Sequence, residues 1–191
     1  MTAGQGIVHS EMPTDELILR GGQWEGFQLW VNLPARDKMM IPRYQDRSPD
    51  SIPTVTSPDG QVTIKVIAGE ALGTKSSIET RTAILLLDIH LRPGASFSQE
   101  VNQNYNSFVY MWKGSGFFGG DLRPTKAGQV GILSNEGSLF YMRAHDNQSC
   151  DILLAAGEPI NEPIVKYGPF VMNTQEEIEQ VIQKNNLKND N

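Results

Sequence analysis

Two side chains close to the amino terminus carry the chemistry of metal ligands. In the stretch TAGQGIVHSE, His9 and Glu11 stand one residue apart. In an extended strand alternate side chains project to the same face, so an imidazole and a carboxylate there aim at one point. That donor set suits divalent first-row cations. A mononuclear site usually draws on more than two protein ligands, so the pair reads as half of a site. An H-x-E pair is common by chance, and its surroundings must decide its meaning.

The other candidates for chemistry are weaker. His90 follows Asp88 on the less apolar face of AILLLDIHL and reads as a solvated strand position. His145, in the loop RAHDNQS, has no partner at ligand spacing, and the NQS at 147–149 reads as an exposed turn. GSGFFG, from Gly114 to Gly119, matches a dinucleotide fingerprint by letter. Such a fingerprint must open a helix, whereas GDLRPTKAG follows, so a glycine-rich hairpin is expected. Cys150 reads as a half-buried small apolar residue, with nothing to make it a nucleophile. No nucleophile elbow is present to complete a hydrolase triad.

Composition narrows the function classes. The 191 residues suffice for one domain or slightly more. A formal charge of -6 argues against non-specific nucleic-acid binding, which needs a basic face. One cysteine permits no internal disulfide and points to a reducing compartment. No apolar run approaches the ~18 residues of a membrane span, and the first residues lack a signal-peptide pattern. A soluble cytosolic or nuclear protein is expected.

The elements that must position these residues read mostly as strands. GFQLWVNL alternates, with Phe27, Leu29, Val31 and Leu33 on one face and Gln28, Trp30 and Asn32 on the other. A proline-rich connector occupies 34–60. Strand candidates follow in QVTIKVIAGEA, RTAILLLDIHL, NSFVYMWKGSG, QVGILSN, GSLFYMRA and CDILLAAG. Their length and glycine punctuation predict an all-β sandwich or barrel. Phe108, Tyr110 and Trp112 are expected in its core. NTQEEIEQVIQKNN predicts one carboxy-terminal helix, opened by a Thr174–Glu177 capping box.

Six segments, in order, resemble the pirin family: TAGQGIVHSEMP, GFQLWVNLPARDKMMIPRYQ, VIAGEALGTKS, TRTAILLLDIHLRPGASFSQ, SFVYMWKGSG and AGEPINEPIVKYGPFVMNTQEEI. EALGTKS and TRT lean towards the eukaryotic type. The resemblance implies a bicupin, two antiparallel β-barrels in one chain. It assigns 1–33 to the end of an amino-terminal cupin barrel, 34–60 to a linker, 61–157 to a complete carboxy-terminal cupin barrel, and 158–191 to a terminal segment with its helix. Pirins typically hold one iron in the first barrel through three histidines and a glutamate. His9 and Glu11 match two of these; the other two come from an H-x-H upstream of TAG. By that reading the chain is amino-terminally truncated, and its iron weak or absent. In the second barrel Ser107 stands where a cupin glutamate would be, and QEVNQNYN before it holds no histidine, so no metal is expected there. The resemblance implies a transcriptional co-regulator in nucleus and cytoplasm that binds a regulatory protein, without direct nucleic-acid or membrane contact. The alternative it implies is a quercetin 2,3-dioxygenase acting on a flavonoid-like molecule, with Glu11 ligating the metal or shuttling the proton.

Overall fold

The computed structural model describes residues 1–189. They form two compact units, one of residues 45–159 and one of residues 1–44 together with 160 onwards.

The larger unit is a single curled antiparallel sheet with small additions. Its strands are β1 (Thr54–Thr56), β2 (Val62–Ala68), β3 (Glu70–Ala71), β4 (Thr74–Lys75), β5 (Ile84–Leu91), β6 (Ser96–Glu100), β7 (Asn106–Phe118), β8 (Arg123–Lys126), β9 (Gln129–Ile132), β10 (Leu139–Ala144) and β11 (Cys150–Gly157). The main order is β1-β2-β5-β11-β7-β10-β6, with β8 and β9 also paired to β7 and a separate β3–β4 hairpin. Period-2 alternation builds the core. Val62, Ile64 and Val66 of β2, Leu87 and Ile89 of β5, and Ile152 and Leu154 of β11 all lie inside. Phe97, Phe140 and Met142 close the same cluster from β6 and β10. Apolar side chains therefore fill the hollow of the curl.

β7 makes the curl. Its first half pairs with β11 and β9, and its second half pairs with β10 and β8. The register on β11 slips between Asp151 and Ile152, a bulge of the kind that bends a sheet. Gly114 sits opposite Cys150 at this bend with φ +77°. A Cβ there would stand 2.0 Å from the Ser149 carbonyl oxygen. The glycine is required both for its backbone angle and for the closeness of the neighbouring strand.

The smaller unit holds α1 (Asp15–Arg20), α2 (Ala35–Lys38), the hairpin of β12 (Val165–Tyr167) and β13 (Phe170–Met172), and α3 (Gln175–Asn189). α3 begins with the expected capping box. Thr174 Oγ1 accepts from the Glu177 N–H at 3.2 Å, and Glu177 Oε2 accepts from the Thr174 N–H at 3.0 Å. Ile178 is fully buried where α3 packs on β13.

The structure corrects several expectations. GFQLWVNL is not a strand: it joins no ladder among the described residues, and Leu29, Trp30 and Val31 lie exposed. Alternation supplies two faces, but a strand also needs a neighbour to pair with. The stretch around His9 likewise joins no ladder among the described residues. Phe108, Tyr110 and Trp112 are only partly buried. The fully buried residues of that strand are the alternate ones, Val109 and Met111, so the aromatics face the other side of the sheet. Cys150 is completely buried rather than half-buried. Burial, with Asp151 adding to it, pushes its thiol up to about 12, so at neutral pH it is a protonated packing group.

Candidate functional site

The segment leading to His9 is tied to the chain near residue 40. Thr2 and Arg43 exchange backbone hydrogen bonds, and the Gln5 N–H donates to the Met40 carbonyl at 2.9 Å. Gly4 turns the chain there with φ +51°, and a Cβ on it would lie 2.1 Å from the Met40 oxygen. The glycine of TAG is thus fixed by close backbone approach.

Residues 32–38 are anchored in turn to the carboxy-terminal segment. The buried Lys38 ammonium donates to Asn32 Oδ1 at 2.7 Å and to the Val171 carbonyl at 3.3 Å. Glu162 Oε2 accepts from the Ala35 N–H at 2.7 Å and from Asn173 Nδ2 at 3.0 Å. Burial holds the Lys38 pKa below its ordinary value, while the Glu162 and Glu177 carboxylates oppose that shift. The residues of the EPI and FVMNT stretches are therefore structural ties.

From this frame His9 and Glu11 project into solvent. His9 Nε2 lies 3.7 Å from Glu11 Oε1, with side chains 32% and 56% exposed, so a cation in solution can reach both. The same Oε1 accepts a hydrogen bond from Gln28 Nε2 at 2.5 Å. The two expected ligand residues are brought together, and Gln28 joins them unannounced by any local signal. Two cis ligands bonded at roughly 2 Å to one ion lie roughly 3 Å apart, so a small rotation of either side chain lets the pair share a cation. Imidazole and carboxylate fit iron chemically. They fill only part of its coordination, because among the described residues no three of His, Cys, Asp and Glu converge on one point.

The remaining sequence candidates lie elsewhere. His145 stacks on Phe117 with ring centroids 5.9 Å apart. Ser107 is buried, its hydroxyl donating to the Tyr105 carbonyl at 3.4 Å. His90 Nδ1 meets Asp151 Oδ1 at 2.5 Å across β5 and β11.

Asp88, on the same strand, is pushed above the usual carboxylate range. Burial is the main cause and Asp151 adds to it; Lys65, the Trp112 hydrogen bond and His90 work against it. Between 3.8 and the raised value the folded chain holds more proton than the unfolded one. Stability therefore falls as pH rises through that window, until the folded carboxyl is ionised. We expect Asp88→Asn to raise the melting temperature at pH 7, by roughly a few degrees. The gain should shrink as pH is lowered towards the ordinary carboxylate range. A melting series from pH 4 to 8 tests this; a variant less stable than the parent at pH 7 would refute it.

A curled antiparallel sheet closed on an apolar core, as in residues 45–159, is the cupin architecture. The family description "Pirin C-terminal cupin domain" matches residues 86–188, and the chain belongs to the pirin family. Pirin of Homo sapiens is 43% identical over 187 residues, covering 95% of this chain and 61% of that protein. A pirin-like protein of Solanum lycopersicum is 41% identical over 183 residues, covering 96% and 60%. The chain thus spans about 60% of the length of these relatives. The crystal structure of a quercetin 2,3-dioxygenase from Acinetobacter baumannii superposes with a TM-score of 0.76 at 33% identity, covering 82% of this chain and 54% of that one. Among the described residues no helix is long and apolar enough to cross a membrane.

Proposed function

We propose that this chain contributes His9 and Glu11 to a pirin-type iron centre and serves as a nuclear and cytosolic co-regulator that binds a transcription-regulatory protein. The observation that carries the metal reading is the 3.7 Å approach of an exposed imidazole and carboxylate. It falls in the segment whose TAG and HSE motifs resemble the pirin iron site, where an upstream H-x-H supplies the other ligands. Iron, when bound, supplies a Lewis-acid centre with a change of charge on oxidation. The chain's own part is to hold that cation at His9 Nε2 and Glu11. The charge of -6 suits a protein partner with a basic surface and disfavours the phosphate backbone of DNA.

The likeness to the Acinetobacter baumannii quercetin 2,3-dioxygenase favours a second reading. In it, a flavonoid-like molecule is the substrate, and Glu11 holds the proton of its hydroxyl or ligates the metal.

Metal content and flavonol turnover measured on the same samples separate these readings. Two ligands leave most of an octahedral ion to water, and preorganised supporting hydrogen bonds are what give such sites their affinity. The purified chain should therefore carry far less than one iron per molecule, and His9→Ala should change its stability little. A chimera with the amino-terminal half-barrel of a full-length pirin joined before Met1 should carry one iron, lost in His9→Ala or Glu11→Ala. Turnover by the iron-loaded chimera favours the enzyme; its absence favours the co-regulator. Stoichiometric iron in the chimera that survives both substitutions would overturn the assignment of these ligands.

A further inference from the structure

We propose that Gln28 is a positioning residue of this centre, its amide fixing the carboxylate of Glu11 so that the oxygen nearest His9 stays turned towards it. This rests on the reading of His9 and Glu11 as ligands of a shared cation.

Three observations support it. Gln28 Nε2 and His9 Nε2 both face the same atom, Glu11 Oε1, at 2.5 and 3.7 Å. The contact joins residues 17 apart in sequence, so the local chain does not impose it. The donor is also of the right charge type. A carboxylate offers about four lone-pair directions, and a neutral amide occupies one, leaving the rest for a cation. An Arg or Lys in that place would compete with the cation for the negative charge. Without the amide, an exposed glutamate samples several rotamers, and its ordering must be supplied by the metal itself. Supporting hydrogen bonds of this kind typically account for roughly 10- to 100-fold in metal affinity.

The test titrates the purified full chain with Co2+, following its visible absorption and the paramagnetic broadening of the His9 and Glu11 side-chain signals. Gln28→Met keeps the size of the side chain and removes the donor. Gln23→Met is the control, since Gln23 makes the same kind of exposed amide contact, with Glu25. We expect Co2+ to broaden both residues in the parent and in Gln23→Met. In Gln28→Met the affinity should fall roughly tenfold, with broadening retained at His9 and diminished at Glu11, an uncoupling that general loss of structure would not produce. If Gln28→Met binds Co2+ as the parent does while His9→Ala abolishes binding, Gln28 has no positioning role and the ligand assignment stands. If Co2+ binds His9→Ala as it binds the parent, the ligand assignment fails and this inference falls with it.

Discussion

Gly114→Val is expected to abolish the folded barrel. The substituted Cβ would stand 2.0 Å from the Ser149 oxygen and 2.8 Å from the Cys150 Cα, both backbone positions held by β11. Flexible side chains can move aside, but a paired strand cannot without breaking its ladder. A left-handed angle costs an L-residue roughly 1–2 kcal/mol, and overpacking a dense interior adds roughly 1–3 kcal/mol or more. The sum, roughly 2–5 kcal/mol or more, reaches the lower end of an ordinary domain's stability of about 5–15 kcal/mol, and a backbone clash that cannot relax carries it further. Gly119→Ala is the comparison. Its φ is +71°, yet no atom lies within 4 Å of the added Cβ, so only the conformational cost applies. Urea unfolding followed by circular dichroism should show Gly119→Ala with a slightly lowered midpoint and Gly114→Val with no cooperative transition. A cooperative transition near the parent midpoint in Gly114→Val would contradict the assignment of Gly114 as the bend.

Lys38→Ala should unfasten the smaller unit. It deletes the donor to Asn32 and Val171 and leaves Glu162 and Glu177 without their nearby cation. Removing one partner from a buried charged group typically costs roughly 3–5 kcal/mol. Hydrogen exchange should rise in residues 32–38 and 162–173, with β2, β5 and β11 little changed. The pH dependence gives a second sign to check. Burial lowers the Lys38 pKa below 10.5, so the unfolded chain holds more proton in that window. Stability from this group therefore rises with pH as the folded lysine is neutralised. Lys38→Met should lack that alkaline rise in melting temperature. Exchange unchanged in both segments of Lys38→Ala would show that the ammonium ties nothing together.

These two positions differ in how they can be read from sequence. The glycines of SFVYMWKGSG mark a turn or close approach by residue type, although the partner strand, some 35 residues on, is invisible locally. β2 was legible because its apolar residues alternate, and β5 and β11 because ILLLDIHL and CDILLAAG are short, strongly apolar runs. β6 was not, because SFSQE offers one apolar side chain, and β8, RPTK, carries a proline that argues against a strand. GFQLWVNL had the alternation without a ladder to join. At the site, His9 and Glu11 were legible as neighbours. Gln28 was not, because its contact is set by how two unpaired segments lie together. Lys38 and Glu162 escaped for the same reason, since burial and hydrogen bonding across more than 120 residues leave no mark in a local window.

The tie from Lys38 to the Val171 carbonyl spans 133 residues, which has a consequence for the order of events at the ribosome. At a synthesis rate of roughly 5–20 residues per second, Lys38 is made roughly 7–27 s before its acceptor. Over that interval residues 45–159 are synthesised, while the segment bearing His9 and Glu11 lacks Val171, and for most of it Glu162, to hold its base. The candidate ligands are therefore made well before the residues that fasten their base, and the segment that bears them can settle only after Val171 has been synthesised.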